Sequence, residues 1–338
     1  MVTALVTGST GFVGSNLVLA LNRRGIAVRA LQRKTSPQDA ISGLEYEPVI
    51  GDLLDVDSLA AAVEGVDWVF HVAAVSDWRH TPAEVVYRVN VDGARNMMEA
   101  AKRAGVQRFV LTSSSAALGK PPPGRELIDE RDTFNLKPEE FPYGHSKHLA
   151  EVEMGKFARD GLHTISVLPT GVMGPRDLKF ISGELIVQAL KRGIPGVPPG
   201  GLNYIDVRDA AEGHVAAAEK GRPGERYILG GNNMTHREVI DTISRVVGVR
   251  PPALDIPGWA IPPMAVVFDL LKAVGVQLPG NVDGDALRLS REFLYYDTGK
   301  AERDLGLTGR PFEESARDAY EWYKANGYLE KAGVKPVA

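Results

Sequence analysis

Three glycines, Gly8, Gly11 and Gly14, constrain this chain more than any other feature. They follow a short apolar run, residues 2–7, that reads as a buried strand. They precede residues 15–24, whose apolar periodicity predicts a helix. A strand, a glycine-rich turn and a helix together suit a dinucleotide pyrophosphate. The glycines let the backbone come close, and the helix N-terminus offers free N–H groups and the positive end of its dipole. The spacing is Gly-x-x-Gly-x-x-Gly, one residue longer than the Gly-x-Gly-x-x-Gly form. A ligand-free β–α turn carries the same pattern. Its place right after the first strand favours binding.

The next strand, residues 27–31, runs into Gln32-Arg33-Lys34. An acid near such a strand end selects NAD through the ribose 2′-OH, whereas arginine accommodates the 2′-phosphate of NADP. Here two cations stand and no acid, so Arg33 and Lys34 predict NADP ahead of NAD. A solvated basic loop is the plainer alternative. Strands are further predicted at 44–50, 68–72 and 108–111, with helices at 57–64 and 85–104 between them. Alternation of this kind implies a parallel sheet covered on both faces. Ligands of such sheets sit beyond the strand C-termini. The glycine turn, Asp52, residues 71–74 and Ser114 all fall there. His71, next to last in an apolar strand, reads as structural.

Tyr143-Gly144-His145-Ser146-Lys147 opens another predicted helix. Residues four apart share a helix face, so Tyr143 and Lys147 can point into one cleft. A phenol has an unperturbed pKa of about 10, and a nearby ammonium is expected to lower it. A tyrosine so tuned exchanges a proton with a carbonyl or alcohol oxygen. Taken alone, the pair is ordinary. Its company alters that judgement.

The bulk numbers remove several function classes. The net charge of −4 offers no attraction to nucleic acid or an anionic membrane. There is no cysteine, hence no disulfide, thiol nucleophile or cysteine-bound metal. No run reaches the roughly 18 apolar residues of a membrane span, and the first residues lack the features of a signal peptide. A cytoplasmic protein is expected, with no metal site.

Residues 120–142 form a long irregular connection beside the predicted catalytic helix, a placement common for functional loops. A sixth strand at 164–168 leads to Pro169-Thr170-Gly171-Val172-Met173-Gly174-Pro175. Strands follow at 203–207 and 226–229, and from residue 235 onward the pattern is mostly helical. Residues 1–170, joined again by 207–231, are expected to form the nucleotide-binding domain. Residues 171–206 and 232–338 form a smaller lobe.

These motifs together identify the chain as resembling the extended short-chain dehydrogenases/reductases, of the NAD-dependent epimerase/dehydratase type. Residues 7–14 resemble that family's Thr-Gly-x-x-Gly-x-x-Gly turn, and Tyr143 and Lys147 its Tyr-x-x-x-Lys pair. Ser114, five residues before Gly119, stands where its serine does; Asp52 matches the acid at the adenine and Asn90 the asparagine after the fourth strand. The resemblance implies a Rossmann-type doubly wound parallel sheet with a smaller, mostly helical C-terminal substrate lobe. It implies that Ser114 holds the substrate oxygen, Tyr143 exchanges the proton, and Lys147 holds the nicotinamide ribose and depresses the tyrosine pKa. Cofactor contacts are then expected from Gly8, Thr10, Gly11, Phe12, Val13, Gly14, Arg33, Lys34, Asp52, Leu53, Val72, Ala73, Ala74, Asn90, Thr112, Tyr143, Lys147, Pro169, Thr170 and Val172. Substrate contacts are expected from Ser76, Trp78, Ser115 and Met173, with residues 257–271 nearby. A homodimer through residues 85–104 and 144–159 is also implied.

Three branches compete. One is an NADPH-dependent carbonyl reductase resembling dihydroflavonol 4-reductases; another is a sugar-nucleotide epimerase or dehydratase holding NAD tightly; the third is a nucleotide sensor without catalysis. Sensors of this fold typically lack the Tyr/Lys pair present here. Resembling dehydratases carry Asp-Glu directly after the Ser/Thr position, where this chain has Ser115 and Ala116. Resembling epimerases read Arg-Tyr-Phe-Asn where this chain has Leu168-Pro169-Thr170-Gly171. The reductase branch, acting on a small or medium carbonyl compound, is the expectation.

Overall fold

The computed structural model describes residues 2–273 and 284–335. Its strands are β1 (Thr3–Thr7), β2 (Ala27–Gln32), β3 (Glu47–Ile50), β4 (Trp68–His71), β5 (Arg108–Thr112), β6 (Leu127–Ile128), β7 (Thr164–Pro169), β8 (Gly171–Met173), β9 (Gly201–Asp206), β10 (Arg226–Leu229), β11 (Asn232–Thr235) and β12 (Phe293–Tyr296). Seven of them form one sheet in the order β10-β7-β5-β4-β1-β2-β3. Every pairing in it is parallel; Val6, for example, lies against Ala30 on one side and Phe70 on the other. The order reverses between β1 and β4. A crevice opens at such a switch point, beyond the strand ends.

Side chains of a strand alternate between faces, and β1 feeds both cores. Ala4 and Val6 join Leu17, Leu21 and Val215 on one side. Leu5 joins Leu59, Met97 and Met154 on the other. Burial on both faces is why the strands read as continuous apolar runs. The helix Phe12–Arg23 packs on the first side and Pro142–Arg159 on the second.

The helix predicted at 85–104 is not continuous. Ala83–Tyr87 and Gly93–Arg103 are α-helical, and Arg88–Asp92 between them is a π-helical stretch. Such widened turns recur at functional sites, and this one carries Asn90.

The C-terminal region is mostly helical, as expected, and strands accompany it. A second sheet runs β11-β9-β12-β6, with β8 beside β9. Its strands are two to six residues long, and its pairs join distant segments, as Tyr295 with Leu127. The sequence foresees β9, at 203–207, whereas β6, β8, β11 and β12 are too short for a period to show. Helices His236–Val246 and Phe312–Ala325 pack around Tyr204, Phe312 and Tyr323. Arg208 bonds Asp206 and Asp318, each at 2.7 Å, and Arg310 pairs with Asp209. These contacts fix helix Phe312–Ala325 against the start of helix Val207–Lys220.

Candidate active site

The glycine turn is set by backbone contact. Gly8 has φ +67°, and a Cβ there would stand 2.7 Å from the Ala73 nitrogen. A Cβ on Gly14 would lie 2.1 Å from the Gly8 carbonyl oxygen. The Gly11 N–H donates to that oxygen at 2.9 Å. Thr7 ties the turn to β4: its Oγ1 accepts from the Ala73 N–H at 3.1 Å and meets His71 Nδ1 at 3.1 Å. His71 is buried and, chiefly through that burial and then through the charge of Lys147, its pKa is pushed down to about 3. It is a neutral structural hydrogen-bonder. Helix Phe12–Arg23 starts at Gly11 with no side-chain cap and no acid in its first turn. Its N–H groups stay available to an anion.

The residues expected at the cofactor lie along one edge of the sheet. Thr10, Phe12 and Val13 are half-buried and Gly11 is exposed, all after β1. Arg33 and Lys34 are exposed after β2, in a turn in which the Arg33 N–H donates to Ser36 Oγ at 3.0 Å. Asp52 follows β3 and turns its Oδ1 back to the Leu54 N–H at 2.9 Å. Leu53 is buried, and its carbonyl accepts from Asn96 at 3.0 Å. Val72, Ala73 and Ala74 follow β4, half-buried. Pro169 and Thr170 end β7, both buried. Val172 sits in β8, packed against the main core.

This edge fits a bound dinucleotide. Buried polar atoms are ordinarily hydrogen-bonded, yet among the described residues Ser9 Oγ after β1, Gln32 Nε2 at the end of β2 and Ser113 Oγ after β5 are buried without a partner. Together with the side-chain-free cradle at Gly8 and the acid-free helix start, they present donors and space to a polar ligand.

Two of the expected contacts do other work. Asn90 accepts from the Val75 N–H at 2.7 Å, donates to the Val75 carbonyl at 3.1 Å and donates to Ser146 Oγ at 3.0 Å. It clamps the loop after β4 to the helix Pro142–Arg159, so it shapes the crevice indirectly. Thr170 donates its hydroxyl to Asn203 Oδ1 at 2.8 Å and its N–H to the Leu229 carbonyl at 3.1 Å.

Ser114, Tyr143 and Lys147 come together below that edge. Ser114 caps the short 3-10 turn Ser115–Leu118, accepting from the Ala116 N–H at 3.2 Å, and its hydroxyl favours the Tyr143 phenolate. Lys147 is buried, and its Nζ donates to the Thr112 carbonyl at 2.8 Å. Nζ lies 5.9 Å from the centre of the Tyr143 ring. Burial lowers the Lys147 pKa to about 8, against an upward pull from Glu151. The expected depression of Tyr143 does not occur in the protein alone. Burial raises the phenol pKa, and only the Ser114 hydroxyl opposes it. At this distance, with Nζ already turned to a carbonyl, removal from water outweighs the neighbouring cation.

A cavity of about 250 Å³ opens at Phe141, two residues before Tyr143, between the loop after β4, the loop before helix Pro142–Arg159 and the helix Gly284–Leu289. Trp78 and Phe141 line it, their rings 5.4 Å apart, and Phe141 lies 6.3 Å from Tyr143. Leu136 and Leu289 add apolar wall, and Arg79, Lys120 and Glu140 a polar rim. Ser76 is exposed at the loop, and Ser115 is buried, its carbonyl accepting from Tyr296 at 3.4 Å. Met173 is no part of this wall. It is 1% exposed, within the core around Tyr204 and Phe312. Nor do residues 257–271 line the cavity: Ile261 and Ala265 instead pack behind Leu287.

Sequence reasoning missed two buried supports. His214 bonds Thr112 Oγ1 through Nε2 at 2.9 Å, its Nδ1 directed at the Ala210 carbonyl at 2.6 Å. Burial lowers its pKa to about 4, so it is neutral, the Nδ1–H donates and Nε2 accepts. Glu151 lies one turn beyond Lys147. Its spacing from Tyr143 and Lys147 was a visible signal; His214 offered none.

Residues 4–230 match the model of the NAD dependent epimerase/dehydratase family. A protein of Synechocystis sp. named "Putative dihydroflavonol 4-reductase" is 37% identical over 330 residues, covering 96% of this chain and 95% of that one. Sterol demethylase protein B of Methylococcus capsulatus is 32% identical over 329 residues, covering 97% and 100%. The crystal structure of gox2253 superposes with a TM-score of 0.84 at 37% identity, covering 96% and 98%. The chain belongs to the NAD-dependent epimerase/dehydratase family, enzymes of the extended short-chain dehydrogenase/reductase type.

Proposed function

We propose that this chain is an NADP(H)-preferring oxidoreductase acting on a small or medium carbonyl or alcohol compound with an apolar or aromatic body. The observation that carries the reading is the convergence of Ser114, Tyr143 and Lys147 beside a cavity walled by Trp78 and Phe141. Gly8 to Gly14, the start of helix Phe12–Arg23, Arg33 and Lys34 would hold the dinucleotide, with Lys147 at its ribose. Bound there, the nicotinamide supplies or accepts the hydride.

The rest belongs to the protein. Trp78 and Phe141 hold the apolar body and exclude water, and the helix Gly284–Leu289 contributes the lobe's side of the wall. Ser114 donates to the carbonyl oxygen and stabilises the charge growing on it. Tyr143, kept protonated by burial, delivers its proton to the same oxygen; in oxidation it takes one from the alcohol. Ser115 and Ala116 supply no acid or base for dehydration, and Gly171 stands where resembling epimerases carry the asparagine that helps hold the sugar diphosphate. Both favour a reductase over a sugar-nucleotide enzyme. The dihydroflavonol-reductase and sterol names of the two relatives point to ring-bearing compounds as well.

A reductase exchanges its cofactor every turnover, whereas an epimerase regenerates NAD in place and gains by retaining it. Protein purified without added nucleotide should therefore be empty on denaturation and prefer NADPH to NADH on titration. Tightly held NAD in the purified protein would overturn the reductase reading. In the same titration Arg33→Asp should shift selectivity toward NADH by about 10- to 100-fold, the worth of a lost charge-assisted hydrogen bond. Unchanged selectivity would mean that Arg33 does not meet the phosphate.

This reading also pairs two copies through the helices Gly93–Arg103 and Pro142–Arg159, where Val152 is 46% exposed. Light scattering should give twice the chain mass; a monomer at working concentration rules the pairing out.

A further inference from the structure

Tyr143, Lys147 and Glu151 stand at i, i+4 and i+8 on the helix Pro142–Arg159, in one row. The first two carry the proposed chemistry. The third is 8% exposed, and a carboxylate is rarely buried unless something holds it. Ser166 of β7 donates to its Oε1 at 2.6 Å. Arg226 of β10 donates to Oε2 through Nη2 at 2.7 Å and to Oε1 through Nε at 3.3 Å. Arg226 is fixed in turn by the carbonyls of Glu130 and Asp132, each 3.0 Å from Nη1.

A tie between the helix and the sheet explains part of this. Yet a buried ion pair is weak support for stability, and apolar packing of similar volume does as well. What a tie does not require is the position, one turn beyond a buried ammonium. The groups facing Lys147 can be named element by element. On its own helix are the Tyr143 ring and Glu151. On β4 is His71, buried and neutral. On β5 is the Thr112 carbonyl, whose hydroxyl is engaged by neutral His214. On β10 is Arg226, a like charge standing behind Glu151. The negative group in that set is Glu151.

We propose that Glu151 is a positioning residue for the Tyr143–Lys147 pair: clamped by Ser166 and Arg226, its carboxylate keeps Lys147 an ammonium directed at the Thr112 carbonyl. The proposal rests on the catalytic reading of Lys147 given above. The opposing pulls on Lys147 agree with it, since burial lowers its pKa and Glu151 raises it.

The test follows the lysine itself. Full-length protein labelled with ¹³C at lysine Cε is titrated by NMR, the Lys147 signal being assigned by its loss in Lys147→Met. In Glu151→Gln, which keeps the side-chain shape, the Lys147 midpoint should fall by about one pH unit, the low end for a neighbouring charge. The alkaline limb of the pH–turnover profile should move down with it. Ser166→Ala, which removes one clamp and leaves the charge, should shift the midpoint much less. Should Glu151→Gln fail to fold, Glu151→Asp withdraws the carboxylate by one methylene and should move the midpoint the same way by a smaller amount. A Lys147 midpoint unmoved in a folded Glu151 variant overturns the proposal, even where activity is lost. Normal turnover by Lys147→Met would instead bring down the catalytic reading, and leaves the NMR displacement to be judged separately.

Discussion

Replacing Tyr143 by phenylalanine should reduce turnover by about 10²- to 10⁴-fold, the usual contribution of a positioned proton donor, and should leave nucleotide affinity within a few-fold of the parent. The separation follows from what the substitution removes. Phenylalanine keeps the ring that lies 6.3 Å from Phe141 and 5.9 Å from Lys147 Nζ. The start of the helix is held by backbone bonds that it does not touch, among them His145 N–H to the Phe141 carbonyl at 3.2 Å. Only the hydroxyl goes, with the influence that Ser114 has on it. The measurements are steady-state reduction of a carbonyl substrate and nucleotide binding by titration, on the same preparation. Residual turnover above a tenth of the parent would move the proton route away from Tyr143. The pH dependence has a sign as well. Burial raises the phenol pKa, so the acid form that reduction needs persists at neutral pH. Oxidation of an alcohol needs the phenolate and should gain with rising pH.

Much of this site was legible in the sequence because its parts are local. Gly8 to Gly14 signals its own turn, the apolar runs of β1, β4 and β5 signal burial on both faces, and Tyr143 and Lys147 share a helix face by spacing alone. What stayed hidden depends on partners far along the chain. Nothing near Asn90 announces that it will clamp Val75 and Ser146, or that the helix around it widens into a π turn. His214 acquires its role from Thr112, 102 residues earlier. Arg226 meets Glu151 across 75 residues. Met173 follows a strand at the right place for a pocket residue, but the pairing of β8 with β9 carries it into the core. Apart from β9, expected at 203–207, the strands of the second sheet escaped for the same reason, since they are defined by pairing and not by period. The direction of the Tyr143 shift was misjudged from spacing because spacing says nothing of burial. The proximity of a cation was visible, and the loss of water that outweighs it was not.

Gly14→Ala should be the most damaging small substitution in the nucleotide turn, abolishing dinucleotide binding and lowering the unfolding midpoint by several degrees. Overpacking a tight site costs about 1–3 kcal/mol when side chains can give way. Here the obstacle is backbone. The new methyl would lie 2.1 Å from the Gly8 carbonyl oxygen and 2.7 Å from its carbon. Gly8 has no room to retreat, because its own Cβ position is 2.7 Å from the Ala73 nitrogen. That nitrogen is bonded to Thr7 Oγ1, which also engages His71. Moving Gly8 would also break the Gly11 N–H to Gly8 carbonyl bond that closes the turn. The strain therefore passes into the helix start, where the uncapped N–H groups lie. Two controls grade the argument. Gly11→Ala meets the same oxygen at 3.2 Å and should be milder. Gly25→Ala, at φ +66° with nothing within 4 Å of its Cβ, should show backbone strain alone and bind nucleotide normally. Calorimetry and nucleotide titration on the three variants should rank Gly14 worst by both measures. If Gly14→Ala bound nucleotide like the parent, the turn would have to yield where its contacts say it cannot, and the phosphate cradle would have to lie elsewhere on the sheet edge.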